Sequence, residues 1–140
     1  IYIPHCGFYI PHCETEKIQI CDASGKSVVV EYVDDEMKVV YPDKNYQCAT
    51  NFLLTNPDAE FNFGQDRYQI IDEKLNSSNG VLTSHEAMQL LSDCSQDAHK
   101  NKQGKISKTQ WSCVYDLKKK RVTICVNQNY DTEYSINVVE

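Results

Sequence analysis

Two His-Cys pairs, His5-Cys6 and His12-Cys13, sit seven residues apart in the tandem copy "YIPHCGFYIPHC". Their residue types could hold a zinc ion, or supply a thiolate with a neighbouring base. The spacing argues against both. In an extended chain adjacent side chains point to opposite faces, so one ion cannot take both members of each pair. Pro4 and Pro11 favour that extended backbone. Adjacency in sequence does not bring an imidazole onto the neighbouring thiol, and as a nucleophile Cys6 or Cys13 would need both a base and something to lower its pKa. Residues 1–16 are therefore expected to be an irregular segment without metal ligand or nucleophile.

Elsewhere the reactive residue types stand apart. His85 is expected near the start of a helix and exposed, and His99 near the end of the same helix, where a cation suits the helix dipole. Neither has a partner at metal or catalytic spacing. Asp34-Asp35-Glu36 carries three adjacent carboxylates, which on a tight turn read as solvated side chains. Phosphate loops, G-x-S-x-G elbows and H-E-x-x-H pairs are all missing from the sequence. Asn76-Ser77-Ser78 is a glycosylation sequon that matters only in a secreted chain.

A chain of 140 residues with 41% hydrophobic and 24% charged residues suits one globular domain. The net charge of −6 argues against a nucleic-acid partner. The one basic run, Lys118-Lys119-Lys120-Arg121, lies between strand-like segments and reads as a hairpin turn. No apolar run is long enough to cross a membrane. Seven cysteines leave at least one unpaired within the chain. Cys21, Cys48, Cys113 and Cys125 lie in strand-like runs and Cys94 on a helical apolar stripe. Five core thiols in a reducing compartment, the cytoplasm, is the reading this supports.

The elements that must position these residues follow from periodicity. "KIQICDASGKSVVVEYV" reads as two strands about a turn at Asp22, Ser24 and Gly25. Val28, Val30 and Tyr32 share one face of the second strand; Val29, Glu31 and Val33 share the other. "MKVVYP" is a third strand and "YQCATNFLL" a fourth. The period then changes. Tyr68, Ile71 and Leu75 lie on one face of a helix, as do Ala87, Leu90, Leu91 and Cys94 of a second, which Thr83 and Glu86 open with capping-box spacing. "KNKQGK" closes that helix, with a turn at Gly104. "TQWSCVYDL" and "RVTICVNQ" form a hairpin, and "YSINVVE" adds a last strand. Segregated strands and helices predict an α+β fold with antiparallel sheet.

Three stretches, taken in order, resemble one family. They are "ICDASGKSVVVEYVDDEMKVV", "YQCATNFLLTNPD" with "GQDRYQIIDEKL", and "TQWSCVYDLKKKRVTICV". Together they resemble the C-terminal part of the linear amide C–N hydrolases, which include choloylglycine hydrolase, penicillin V acylase and acyl-transferase relatives. The resemblance implies the C-terminal half of an N-terminal-nucleophile αββα sandwich over residues 17–140. It also implies an N-terminal cysteine nucleophile whose own amine is the base. Asn51, in "ATNF", would be the oxyanion donor. Arg67, in "DRY", would steady the site. Without the resemblance, Asn51 reads as a turn residue after a strand and Arg67 as a surface helix residue.

The family's Arg-Asp pair and early strands do not precede Lys17, and neither Cys6 nor Cys13 carries the small hydroxyl residue that follows the nucleophile. The expectation is a hydrolase portion, inactive alone, that needs no cofactor or metal. It would meet an amide substrate only in a complete enzyme, with a complementing N-terminal chain or as a homo-oligomer. The alternative is a non-catalytic binding module whose His/Cys tail holds a metal.

Overall fold

The computed structural model describes residues 17–57, 63–101 and 104–138. The His-Cys tandem lies outside them. The chain divides into two units, one running to Val81 and the other starting at Leu82.

In the first unit, β1 (Lys17–Cys21), β2 (Ser27–Val33) and β3 (Glu36–Val40) form an antiparallel sheet in that order. The β1–β2 turn is closed by Asp22 Oδ1, which accepts from the Ser24 amide at 2.8 Å, while Gly25 takes φ 88°. The β2–β3 turn is Asp34-Asp35, at φ 53° and 61°. Two left-handed residues match the right-handed twist of a two-residue hairpin, and Asp tolerates that conformation.

Register sets Ile18 opposite Val30, Val30 opposite Val39, and Tyr32 opposite Met37. These residues share one face with Ile20 and Val28. On that face Val28 and Val30 of the central strand are half-buried, while Ile18, Ile20, Tyr32, Met37 and Val39 are exposed, from 40% at Val39 to 61% at Met37. The opposite face of β2, Val29, Glu31 and Val33, is buried.

The expected fourth strand is not formed: residues 46–54 are irregular. Side chains occupy carbonyls that a ladder would need. Gln19 Nε2 donates to Gln47 O at 3.3 Å, and Lys17 Nζ donates to Thr50 O at 3.1 Å and to Phe52 O. Helix α1 (Gln65–Ser77) follows, with Arg67 and Leu75 buried and Tyr68 and Ile71 half-buried on the same face.

In the second unit, α2 (Ser84–Asp93) begins with the expected reciprocal Thr83–Glu86 capping box. Ala87, Met88 and Leu91 pack on Val114 and Cys125, with Leu82 and Tyr130 at the margin. Burying the Met88, Leu91 and Val114 side chains contributes about 1.5–3 kcal/mol each. Strands β6 (Trp111–Asp116), β7 (Arg121–Val126) and β8 (Tyr134–Asn137) form the antiparallel sheet beneath α2. The lysine run is the β6–β7 turn, and Asp116 Oδ1 accepts from the Lys119 amide at 3.0 Å.

His99 lies outside α2, in a two-residue hairpin of β4 (His99–Lys100) and β5 (Ile106–Ser107). The helix stops early because Gln96 and Thr109 exchange two bonds, Gln96 N to Thr109 Oγ1 and Thr109 N to Gln96 O. That exchange draws the chain off the helical path. Segregated antiparallel sheets with two intervening helices make the α+β class correct.

Candidate functional site

The segment after β3 presents Asn51 between two buried neighbours, Thr50 and Phe52. Thr50 Oγ1 donates to Gly64 O at 2.8 Å, and the Phe52 ring meets the Tyr68 ring edge-on at 5.2 Å. Gly64 caps α1 at φ 89°, and its carbonyl also accepts the helix-opening bond from Tyr68 N. A Cβ there would stand 2.7 Å from Arg67 Nη2 and 3.2 Å from Thr50 Oγ1. Glycine is thus required for both the left-handed backbone and the close approach.

That approach lets Arg67, in the first turn of α1, fold across the helix start. Arg67 is 9% exposed, and its Nη2 donates to Asn51 Oδ1 at 2.7 Å. The two residues singled out from sequence are therefore joined directly. Arg67 is not the surface residue that its helix alone would suggest. Because a guanidinium only donates, Asn51 must turn its Oδ1 toward Arg67 and its Nδ2 away.

Three supporting residues were not singled out from sequence: Gly64, Lys17 and Glu31. Glu31 is fully buried. Its carboxylate accepts from Leu54 N at 2.8 Å, Thr55 N at 3.0 Å and Thr55 Oγ1 at 2.7 Å, and lies 3.2 Å from Lys17 Nζ. Burial pushes the Glu31 carboxyl up, but these donors and the Lys17 charge outweigh it and hold the group below its ordinary value. Burial also lowers the Lys17 ammonium, an effect that Glu31 partly offsets. Glu31 could have been noticed in "VVVEYV", where it falls between Val29 and Val33 on the inward face.

A second network ties the same loop to α1 at the surface. Lys44 Nζ lies 2.9 Å from Tyr46 Oη and 3.0 Å from Asp72 Oδ1, and Tyr46 Oη donates to Asp72 Oδ1 at 2.8 Å. Beneath it, burial and the Asp72 charge push the Cys48 thiol up to about 12. Burial raises Cys21 and Cys125 as well. None of the five described cysteines is in a disulfide, and four of them are buried. His85 Nδ1 lies 3.4 Å from Glu133 Oε1 at the surface. Among the described residues no cluster of three metal-ligating side chains forms, and no helix is long and apolar enough to cross a membrane.

Among solved structures, a mutant of conjugated bile acid hydrolase from Clostridium perfringens matches at TM-score 0.55 and 14% identity. The match covers 81% of this chain and 47% of that one, so the chain spans about half the length of the structure it resembles. The antiparallel sheets and two helices are therefore part of an N-terminal-nucleophile hydrolase fold. Among curated proteins no sequence matches. The family model for acyl-coenzyme A:6-aminopenicillanic acid acyl-transferase matches residues 8–131. That match takes in Lys17, Glu31, Asn51, Gly64 and Arg67 alike, and on it the chain belongs to the acyl-coenzyme A:6-aminopenicillanic acid acyl-transferase family.

Proposed function

We propose that this chain is a portion of a cysteine N-terminal-nucleophile hydrolase that cleaves linear amide C–N bonds. Substrates of the bile-salt, penicillin V or N-acyl amide type fit the reading. The observation that carries it is the 2.7 Å bond from Arg67 Nη2 to Asn51 Oδ1. With Oδ1 engaged, Asn51 Nδ2 is the end free to donate to an oxyanion. When a thiolate attacks the amide carbonyl, a C–S bond forms and the carbonyl π pair moves onto oxygen. A preorganised Asn51 donor stabilises that charge. The C–N bond then breaks, the amine leaves with a proton, and water hydrolyses the thioester.

None of the thiols with a resolved shift suits the attacking role, since burial holds Cys21, Cys48 and Cys125 protonated at neutral pH. On this reading the nucleophile is the family's N-terminal cysteine, supplied by the remainder of the hydrolase domain, and the present chain is inactive alone. The open apolar face of β1–β3 supports this reading, because contiguous exposed apolar surface marks an association site.

The test is to assay amide release by the purified chain alone, then mixed with the N-terminal half of a family hydrolase carrying its cysteine. Activity on mixing that Asn51→Ala abolishes supports the reading. Mixing with no gain, under conditions where native mass spectrometry shows the two pieces bound, overturns it. A monomer carrying one zinc ion, lost on changing His5 and His12, would assign the chain to the binding-module class instead.

A further inference from the structure

Lys17 and Glu31 sit on neighbouring strands and close on the segment that carries Asn51. Lys17 Nζ donates to Thr50 O at 3.1 Å and to Phe52 O, the carbonyls immediately before and after Asn51, and lies 5.5 Å from the Phe52 ring centroid. Glu31 takes the next amides, Leu54 N at 2.8 Å and Thr55 N at 3.0 Å. The segment has no strand partner, so its backbone groups must find other bonds.

A buried ion pair is a weak source of stability, and apolar side chains of equal volume often serve a core at least as well. Apolar side chains cannot, however, direct carbonyls and amides. We propose that Lys17 and Glu31 are positioning residues for Asn51. They clamp the backbone on both sides of it so that its amide meets Arg67 in one orientation. The proposal deepens the hydrolase reading and rests on it for its catalytic consequence, while its test observes Asn51 directly.

The test is nuclear magnetic resonance on the ¹⁵N-labelled chain, following the Asn51 side-chain amide, assigned by its loss in Asn51→Ala. In Glu31→Gln that signal is expected to move toward the free-amide position. Leu54 and Thr55 are expected to exchange hydrogen about tenfold faster or more, while β6 and β7 keep their protection. Lys17→Met is expected to act in the same direction, and Lys17→Arg, which retains donors, to restore most of the shift. An Asn51 signal unmoved in both Glu31→Gln and Lys17→Met overturns the proposal. Should Glu31→Gln fail to fold, Thr55→Val decides. It removes only the hydroxyl donor to Glu31, and a smaller shift of Asn51 in the same direction is expected, whereas an unmoved signal overturns the proposal. If Asn51 shifts as expected but Asn51→Ala leaves turnover by the complemented enzyme intact, the positioning stands and the hydrolase reading fails.

Discussion

Arg67 Nη2 donates to Asn51 Oδ1 across 2.7 Å, and this bond settles which end of the Asn51 amide is free. A guanidinium has no acceptor, so the opposite amide orientation would set donor against donor in a buried place. The sixteen-residue separation of the pair is bridged by a helix start that only glycine permits.

Asn51 and Arg67 should differ in what they cost turnover. In the complemented enzyme, Asn51→Ala is expected to lower kcat by about 10²–10³, the usual loss of one oxyanion donor. Arg67→Lys keeps the charge but not the planar fork, and misplaces the amide at a cost of roughly 10². Single-turnover thioester formation measures both, and unchanged rates would remove the pair from the chemistry.

Gly64→Ala should destabilise the chain more than Gly25→Ala. Both glycines have positive φ, 89° and 88°, so each substitution carries backbone strain of about 1–2 kcal/mol. Gly25 has open space around its Cβ position, whereas Gly64 would drive a methyl to 2.7 Å from Arg67 Nη2. Denaturant midpoints of the two variants measure the difference, and equal midpoints would mean that the Arg67 approach is unimportant.

Glu31 should give the protein an acid limb that salt does not remove. Its folded pKa lies below the ordinary 4.5, so in that window the unfolded chain binds more protons and stability rises with pH. The contribution is complete above about 4.5 and is lost as pH falls through the folded value. Asp22 and Asp116 are also lowered, chiefly by hydrogen bonds from Ser24 and the Lys119 amide, and Asp72, against burial, by those from Lys44 and Tyr46. Salt therefore does not silence them, and the Glu31→Gln difference isolates the share of Glu31. Thermal scans across acid pH in high salt should retain the limb, and Glu31→Gln should make it shallower. Breaking the pair should also cost about 3–5 kcal/mol at neutral pH.

Cys48 should resist alkylation until the chain unfolds. With its pKa near 12, fewer than about one molecule in ten thousand carries the thiolate at pH 7.5. Peptide mapping after iodoacetamide, native against denatured, should show Cys48, Cys94, Cys113 and Cys125 labelled only on denaturation. Rapid native labelling at Cys48 would contradict its burial.

The sequence by itself determined much of the local structure. Alternation in "SVVVEYV" assigns the two faces of β2, the Asp-Asp and Asp-x-Ser-Gly turns close their hairpins, and Thr83 with Glu86 caps α2. Each depends on residues a few positions apart, whose preferences act without help from the rest of the chain. The segment around Asn51 reads as a strand because Tyr46, Phe52, Leu53 and Leu54 suit one. Only tertiary structure decided otherwise, since Gln19 and Lys17, distant in sequence, claim its carbonyls. His99 left α2 for a similar reason, the exchange between Gln96 and Thr109. Asn51 and Arg67 were legible as candidates through resemblance, but their contact was not. Buried polar bonds join residues by geometry in space, and neither hydrophobic period nor local propensity records which distant donor will meet which acceptor.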